Sequence, residues 1–89
     1  MKGHAPARLA RAVARRVAEL REARGLTQQE FADVLKVTLR YAQSLESGTQ
    51  NLTLGSLEKL SAALRVPITA LFEAPEGSQP KPGRPKRRM

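Results

Sequence analysis

The sequence contains no cysteine and only one histidine, His4. Without cysteine there can be no disulfide and no thiolate metal ligand, so apolar packing alone has to hold the fold. A single histidine does not make a metal site, because a metal ion needs several ligands at fixed spacing. There is no glycine-rich phosphate loop either. We therefore expect no metal, no cofactor and no enzymatic activity.

Long apolar runs are also missing. No stretch approaches the roughly 18–20 apolar residues that a membrane-spanning helix needs. A chain of 89 residues has room for one small domain with tails. Together with the absence of cysteine, this predicts a single domain that works in the reducing cytoplasm and has no membrane partner.

Acidic residues are scarce, and the basic ones are unevenly placed. Sixteen Lys and Arg stand against eight Asp and Glu, which gives a net charge of +8. Residues 1–26 carry +5, residues 27–74 carry −1 and residues 75–89 carry +4. Basic ends on a near-neutral centre are typical of a protein that binds a polyanion. Nucleic acid is the first candidate, and solubility alone is the alternative. An anionic membrane is the second candidate, but Glu19 and Glu22 in the basic N-terminal segment argue against it.

Apolar spacing and capping residues predict two helices in the first half of the chain. Apolar residues at intervals of three and four positions predict a first helix over residues 7–24, and Gly25 is expected to end it. The run T-Q-Q-E from Thr27 to Glu30 is a capping box that begins a second helix, ending near residue 35. The apolar faces of the two helices consist of Leu9, Val13, Val17 and Leu20, and of Phe31, Val34 and Leu35.

Three further helices are predicted after a short turn. Thr38 caps a helix over 39–47 that Gly48 closes, and Thr53 caps another that ends before Pro67. A short fifth helix follows the proline. The buried sides of the third and fourth helices consist of Ala42 and Leu45 and of Leu57, Leu60 and Leu64, and the fifth helix is suggested by Ile68, Leu71 and Phe72. The outward face of the third helix carries Arg40, Gln43, Ser44 and Ser47.

The second and third helices form a hairpin with a tight turn, which is a helix-turn-helix. The segments "ELREARGLTQQEFA", "KVTLRYAQSLESG", "NLTLGSLEKLSAAL" and "VPITALF" resemble the Cro/repressor-type, or XRE, helix-turn-helix family. The resemblance implies an all-α, compact five-helix bundle of the lambda-repressor-like DNA-binding type over residues 7–74. Residues 1–6 are expected to be a flexible N-terminus, and residues 75–89 a disordered basic tail.

The resemblance also implies which residues contact DNA. Gln28 matches a glutamine that donates to a phosphate, although a merely solvated side chain is the alternative. Arg40 is expected to bridge guanine O6 and N7, with a phosphate contact as its rival. Leu39 meets a thymine methyl or covers the turn, and Tyr41 binds a phosphate or only packs. The expected DNA-binding residues in the domain are Gln28, Thr38, Leu39, Arg40, Tyr41, Gln43, Ser44 and Asn51.

One further match and two departures accompany the resemblance. Arg21 and Glu46 match a pair that forms a salt bridge in the family. Lys36 and Arg65 stand where family members often have glycine, so both are expected at positive φ. The loop after the third helix offers neutral donors such as Asn51 in place of the usual Lys or Arg, which predicts low phosphate affinity from the domain.

The C-terminal tail "KPGRPKRR" partly resembles an AT-hook, which lies in the minor groove of A·T-rich DNA. Pro82 replaces the arginine usual before the glycine, so a general phosphate clamp and a solvated charge run remain alternatives. The expected DNA-binding residues of the tail are Arg84, Lys86, Arg87 and Arg88.

Two functional hypotheses follow. The first is a sequence-specific DNA-binding transcriptional regulator in the cytoplasm, associated with the nucleoid, that binds double-stranded DNA as a homodimer. The alternative is a protein-binding module, an antitoxin or antirepressor that reuses the fold to bind a protein partner. Candidate dimer residues are Val66, Ile68, Leu71 and Phe72, although core packing within one chain is the alternative for Leu71.

Overall fold

A computed structural model describes residues 7–75 of the chain. Over this range the elements in chain order are four α-helices and one 3₁₀ helix, with no strand. The α-helices are α1 (Ala7–Ala23), α2 (Gln28–Leu35), α3 (Leu39–Ser47) and α4 (Leu54–Leu64), and the 3₁₀ helix is Ile68–Phe72. The all-α class is confirmed. The predicted flexible N-terminus and all of the predicted tail except Pro75 lie outside the described residues.

The fifth helix is a 3₁₀ turn, so the predicted count of five α-helices is wrong by one. The amides of Ala70 and Glu73 donate to the carbonyls three residues earlier, at 2.9 and 3.4 Å. Pro67 precedes this segment without any side-chain cap. Five residues are too few to recover the cost of starting an α-helix, so the chain makes the shorter i to i+3 bonds instead.

Side-chain caps fix where the later α-helices begin. Thr27 and Glu30 form the predicted capping box, with reciprocal bonds of 3.0 and 2.8 Å. The hydroxyl oxygen of Thr38 accepts from the amide of Tyr41 at 3.0 Å, and Thr53 caps α4 in the same way. Each cap satisfies an amide that has no partner inside its helix, which is typically worth about 1 kcal/mol.

Left-handed residues end three of the helices. Gly48 closes α3 at φ 82°, while Lys36 and Arg65 close α2 and α4 at φ 63° and 59°. The expectation that these two basic residues adopt positive φ is confirmed. Their amides bond back to carbonyls of the last helical turn, so each helix end is satisfied although the residue is not glycine.

One hydrophobic core lies where the four helices and the 3₁₀ turn meet. Its largest fully buried side chains are Val17, Phe31, Leu60, Leu64 and Leu71. Leu71 therefore belongs to the core of its own chain and is no longer a candidate for a dimer surface. Within residues 7–75, no helix is both long enough and apolar enough to cross a membrane.

Two residues predicted on buried faces are exposed, Leu9 by 53% and Val34 by 51%. In α2 the residues Phe31, Ala32 and Leu35 point to the core, and at about 100° per residue Val34 falls roughly 100° away from the centre of that group. Leu9 lies in the first turns of α1, at the edge of the domain beside Phe72, which is itself 52% exposed.

Arg16 of α1 forms hydrogen bonds with the 3₁₀ turn and with the residue that follows it. Its Nε donates to the carbonyl of Ala70 at 2.9 Å, and its Nη2 lies 2.6 Å from a carboxylate oxygen of Glu73. Because the guanidinium is mostly buried while Glu73 is largely exposed, the bond to the carbonyl contributes more than the ion pair. The end of the domain is thereby held against its first helix.

Candidate nucleic-acid interface

Helix α3 has one buried side and one free side. Ala42 and Leu45 are 0% and 3% exposed and pack against the other helices. Arg40, Gln43 and Ser47 are exposed. The free side therefore carries a guanidinium, an amide and a hydroxyl, all of which can hydrogen-bond to base edges.

A chain of polar contacts connects α1 to this free side. The Nε and Nη2 atoms of Arg21 donate to the two carboxylate oxygens of Glu46 at 2.6 and 3.2 Å. One of these oxygens also accepts from the Gln28 amide at 3.1 Å. Gln43 in turn donates to the side-chain oxygen of Gln28, at 3.5 Å. The salt bridge expected from the family resemblance is present, and it extends through Gln28 to the free side of α3.

Gln28 is thus not a merely solvated side chain. Its oxygen accepts from Gln43 and its amide donates to Glu46. A primary amide has two N–H groups, so one N–H at the N-terminal end of α2 has no hydrogen-bond partner within residues 7–75. Sequence reasoning missed the two side-chain partners, because Gln28 and Glu46 are distant in the chain and meet only through the packing of α2 on α3.

The remaining predicted residues of α3 differ in exposure and in whether their polar groups already have hydrogen-bond partners. Thr38 uses its hydroxyl oxygen as an acceptor for the helix cap, which leaves its hydrogen available. Ser44, predicted to face outward, is half-buried, and its hydroxyl donates to the carbonyl of Tyr41 at 2.7 Å. Leu39 is half-buried. Tyr41 is also half-buried and packs against the core, which agrees with both of its predicted roles, since each includes packing of the ring.

Arg40 is the basic residue of this surface. It is exposed and forms no ion pair with any residue of the range 7–75. Asn51 is exposed in the loop after α3. The predicted DNA contacts of the tail, Arg84, Lys86, Arg87 and Arg88, lie outside the described residues. No group of three or more potential metal-binding side chains occurs within 7–75.

A short helical hairpin whose second helix exposes a hydrogen-bonding face defines a helix-turn-helix DNA-binding protein. The helix-turn-helix family HTH_3 matches residues 17–71, and the chain belongs to this family. It is a sequence-specific DNA-binding transcriptional regulator, as the sequence predicted.

Named relatives support this assignment. The chain is 36% identical over 52 residues to the control protein C.MunI of Mycoplasma sp.. The matched residues make up 58% of this chain and 70% of that protein. The restriction–modification controller protein C.AhdI from Aeromonas hydrophila has a similar structure, with a TM-score of 0.71 and 30% identity over 78% of this chain and all of that one. The hypothetical transcription factor NHTF from Neisseria also has a TM-score of 0.71, at 26% identity over 82% of this chain and 85% of that one.

Proposed function

We propose that this regulator inserts α3 into the major groove of DNA, as a controller-type homodimer in the cytoplasm, associated with the nucleoid. The observation that supports this proposal is the free side of α3. Its exposed Arg40, Gln43 and Ser47 are not covered by any part of the chain between residues 7 and 75. A single α-helix fits a major groove about 12 Å wide.

Arg40 is proposed to read a base pair. Its exposed guanidinium has no carboxylate partner within the described range, so DNA binding does not have to break an existing ion pair. A bidentate contact with guanine O6 and N7 discriminates against other bases by about 1–3 kcal/mol. Thr38, Leu39, Gln43 and Ser44 complete the reading surface.

A second set of residues is proposed to hold the DNA backbone without reading sequence. Gln28 has one N–H left at the N-terminal end of α2, where the helix dipole favours a phosphate. Tyr41 and Asn51 supply further neutral donors. The tail residues Arg84, Lys86, Arg87 and Arg88 supply charge, which strengthens binding to any duplex.

A homodimer is proposed because one recognition helix reads only a few base pairs. Two copies reading paired half-sites would place their α3 helices about 34 Å apart. Exposed apolar side chains that a second copy can cover are Ile68 and Phe72, at 37% and 52% exposure. Val66 is half-buried next to them.

Selection of binding sites from random duplexes tests the proposal. We expect enrichment of a two-part site, and we expect Arg40→Ala to relax the preference at one position of each half-site at a cost of about 1–3 kcal/mol. Arg65→Ala is the matched control, because it removes an exposed arginine at the far end of α4. The preference should remain unchanged in that variant.

Two other outcomes assign the chain differently. If Arg40→Ala weakens binding to all duplexes equally, Arg40 contacts a phosphate and does not read a base. If no sequence is enriched by the unmodified protein, the proposed groove insertion fails. A protein-binding module, such as an antitoxin or antirepressor, then becomes the better description of what the hairpin does.

A further inference from the structure

Three arginines form an exposed row on the N-terminal half of α1. Arg8, Arg11 and Arg15 are all exposed, and at about 100° per residue they lie within roughly 60° of one another around the helix. None forms an ion pair within residues 7–75. The arginines on other faces of the same helix differ, since Arg16 and Arg21 are largely buried and paired with carboxylates.

The middle of this row touches the end of the recognition helix. A Cβ atom built on Gly48, the residue that closes α3, would lie 3.1 Å from Cγ and 3.3 Å from Cα of Arg11. The stem of the arginine therefore lies against the backbone of Gly48, while Arg11 as a whole is exposed beside the C-terminal end of α3. Ala10 lines a groove together with Gln50 and Asn51 of the following loop, so α1 also runs beside that loop.

The end of α3 and the loop that follows it carry no positive charge of their own. Between Arg40 and Lys59 there is no Lys or Arg at all, while Glu46 and Glu58 add negative charge. Glu46 is already neutralised by Arg21. Arg21 and Arg11 both contact this end of α3, but Arg21 is buried against Glu46, whereas Arg11 is exposed and has no carboxylate partner within residues 7–75.

We propose that Arg8, Arg11 and Arg15 are a phosphate-binding row for the DNA strand that passes the C-terminal end of α3. The inference rests on the proposed insertion of α3 into the groove, and it assigns to α1 the cations that the loop after α3 lacks. The row spans about 10 Å along the helix axis, and one strand carries a phosphate for roughly every 3.4 Å of duplex axis. Because the strand winds around that axis, consecutive phosphates are further apart along the strand, and the row is long enough to contact two or three of them.

Two carboxylates lie further along the same face of α1, beyond the row. Glu19 lies 3.3 Å from Arg16 and Glu22 lies 3.6 Å from Arg21, so both are next to arginines outside the row. Glu19 is one turn from Arg15 and reduces the charge at that end of the row. Arg8 and Arg11 are more than a turn away from both carboxylates, so their charge is the part of the row that α1 does not offset.

A salt titration of binding to the selected duplex tests the row. For Arg11→Gln we expect the slope of log affinity against log salt to become shallower by roughly 0.9, which corresponds to about eightfold weaker binding at 0.1 M salt. The triple variant Arg8→Gln, Arg11→Gln, Arg15→Gln should lose roughly 2.7 in slope. Sequence preference should not change, because phosphates carry no base identity.

Two control variants separate this role from net charge and from folding. Arg65→Gln removes the same single charge, but it lies about 17 Å along α4 from the loop that follows α3, so its slope should equal that of the unmodified protein. Arg11→Lys keeps the charge and should keep the slope. Far-ultraviolet circular dichroism of each variant verifies that the helices are intact.

The possible results can be told apart. If Arg11→Gln and the triple variant keep the slope of the unmodified protein, or change no more than Arg65→Gln, the row does not bind phosphate and the inference is overturned. A changed base preference in Arg11→Gln also overturns it, because the residue then reads sequence. If the unmodified protein enriches no sequence, the failure belongs to the proposed groove insertion and not to the row alone.

Discussion

Removing one partner of the ion pair between Arg21 and Glu46 should strongly destabilise the hairpin. The two side chains are only 11% and 7% exposed. Arg21 binds Glu46 with two hydrogen bonds and uses its third nitrogen, Nη1, to donate to the carbonyl of Leu26 at 2.7 Å. The buried carboxylate receives one further bond, from Gln28. Removing either partner therefore leaves the other charge buried with too few partners.

The expected loss can be estimated from the burial of the pair. Leaving one charge of a buried pair without its partner typically costs about 3–5 kcal/mol. A domain of about 70 ordered residues has a total stability of roughly 3.5–10 kcal/mol. Arg21→Ala or Glu46→Ala should therefore remove a third of the stability or more. At about 4–8 °C per kcal/mol, the thermal midpoint should fall by at least roughly 12 °C.

The two single changes should not be additive. In the double variant Arg21→Met, Glu46→Leu no charge remains buried, so we expect it to be closer to the unmodified protein than either single variant. Thermal and urea denaturation followed by circular dichroism measures all four proteins. Single losses below about 1 kcal/mol, the range of an exposed pair, or losses that simply add in the double variant, would refute this reasoning.

The remaining predictions concern three residues with positive φ, Gly25, Lys36 and Gly48. Gly25→Ala and Gly48→Ala both place an alanine at positive φ, which costs about 1–2 kcal/mol. The new Cβ atom at residue 48 would also contact Arg11 of α1, whereas the one at residue 25 would have no neighbour within 4 Å. Denaturation should therefore show a larger loss for Gly48→Ala, and equal losses would argue against close packing of Arg11 on Gly48. Lys36→Gly relieves the strain at φ 63° and should raise the stability by about 0.5–1 kcal/mol. A lowered urea midpoint would show that the Lys36 side chain stabilises the turn.

The sequence predicted best where a feature depends on a few neighbouring residues. The capping box at Thr27, the cap at Thr38 and the left-handed end at Gly48 all follow from side-chain and backbone chemistry within four or five positions. These signals fixed the bounds of α2 and α3 to within a residue. The position of the recognition helix was therefore predictable without tertiary information. The positive φ of Lys36 was expected from the family resemblance alone.

Prediction failed where a feature depends on what another helix covers. Periodicity placed Val34 on an apolar face and Leu9 on an apolar stripe, but it does not show how far the neighbouring helices extend over them. The partners of Gln28 were missed for the same reason. The contact between Arg11 and Gly48 was equally hidden, because the two residues meet only through the crossing of α1 over the end of α3.

The polar contacts around Glu46 connect stability to recognition. Glu46 holds Gln28, and Gln28 accepts from Gln43 on the free side of α3. The last of these bonds is the longest, at 3.5 Å, so Gln43 can exchange it for a base edge at little cost. A change at Glu46 would therefore alter DNA binding without touching DNA, since it releases the residue that orients Gln43. Binding constants of Glu46 variants should be corrected for the folded fraction before any contact with bases is inferred from them.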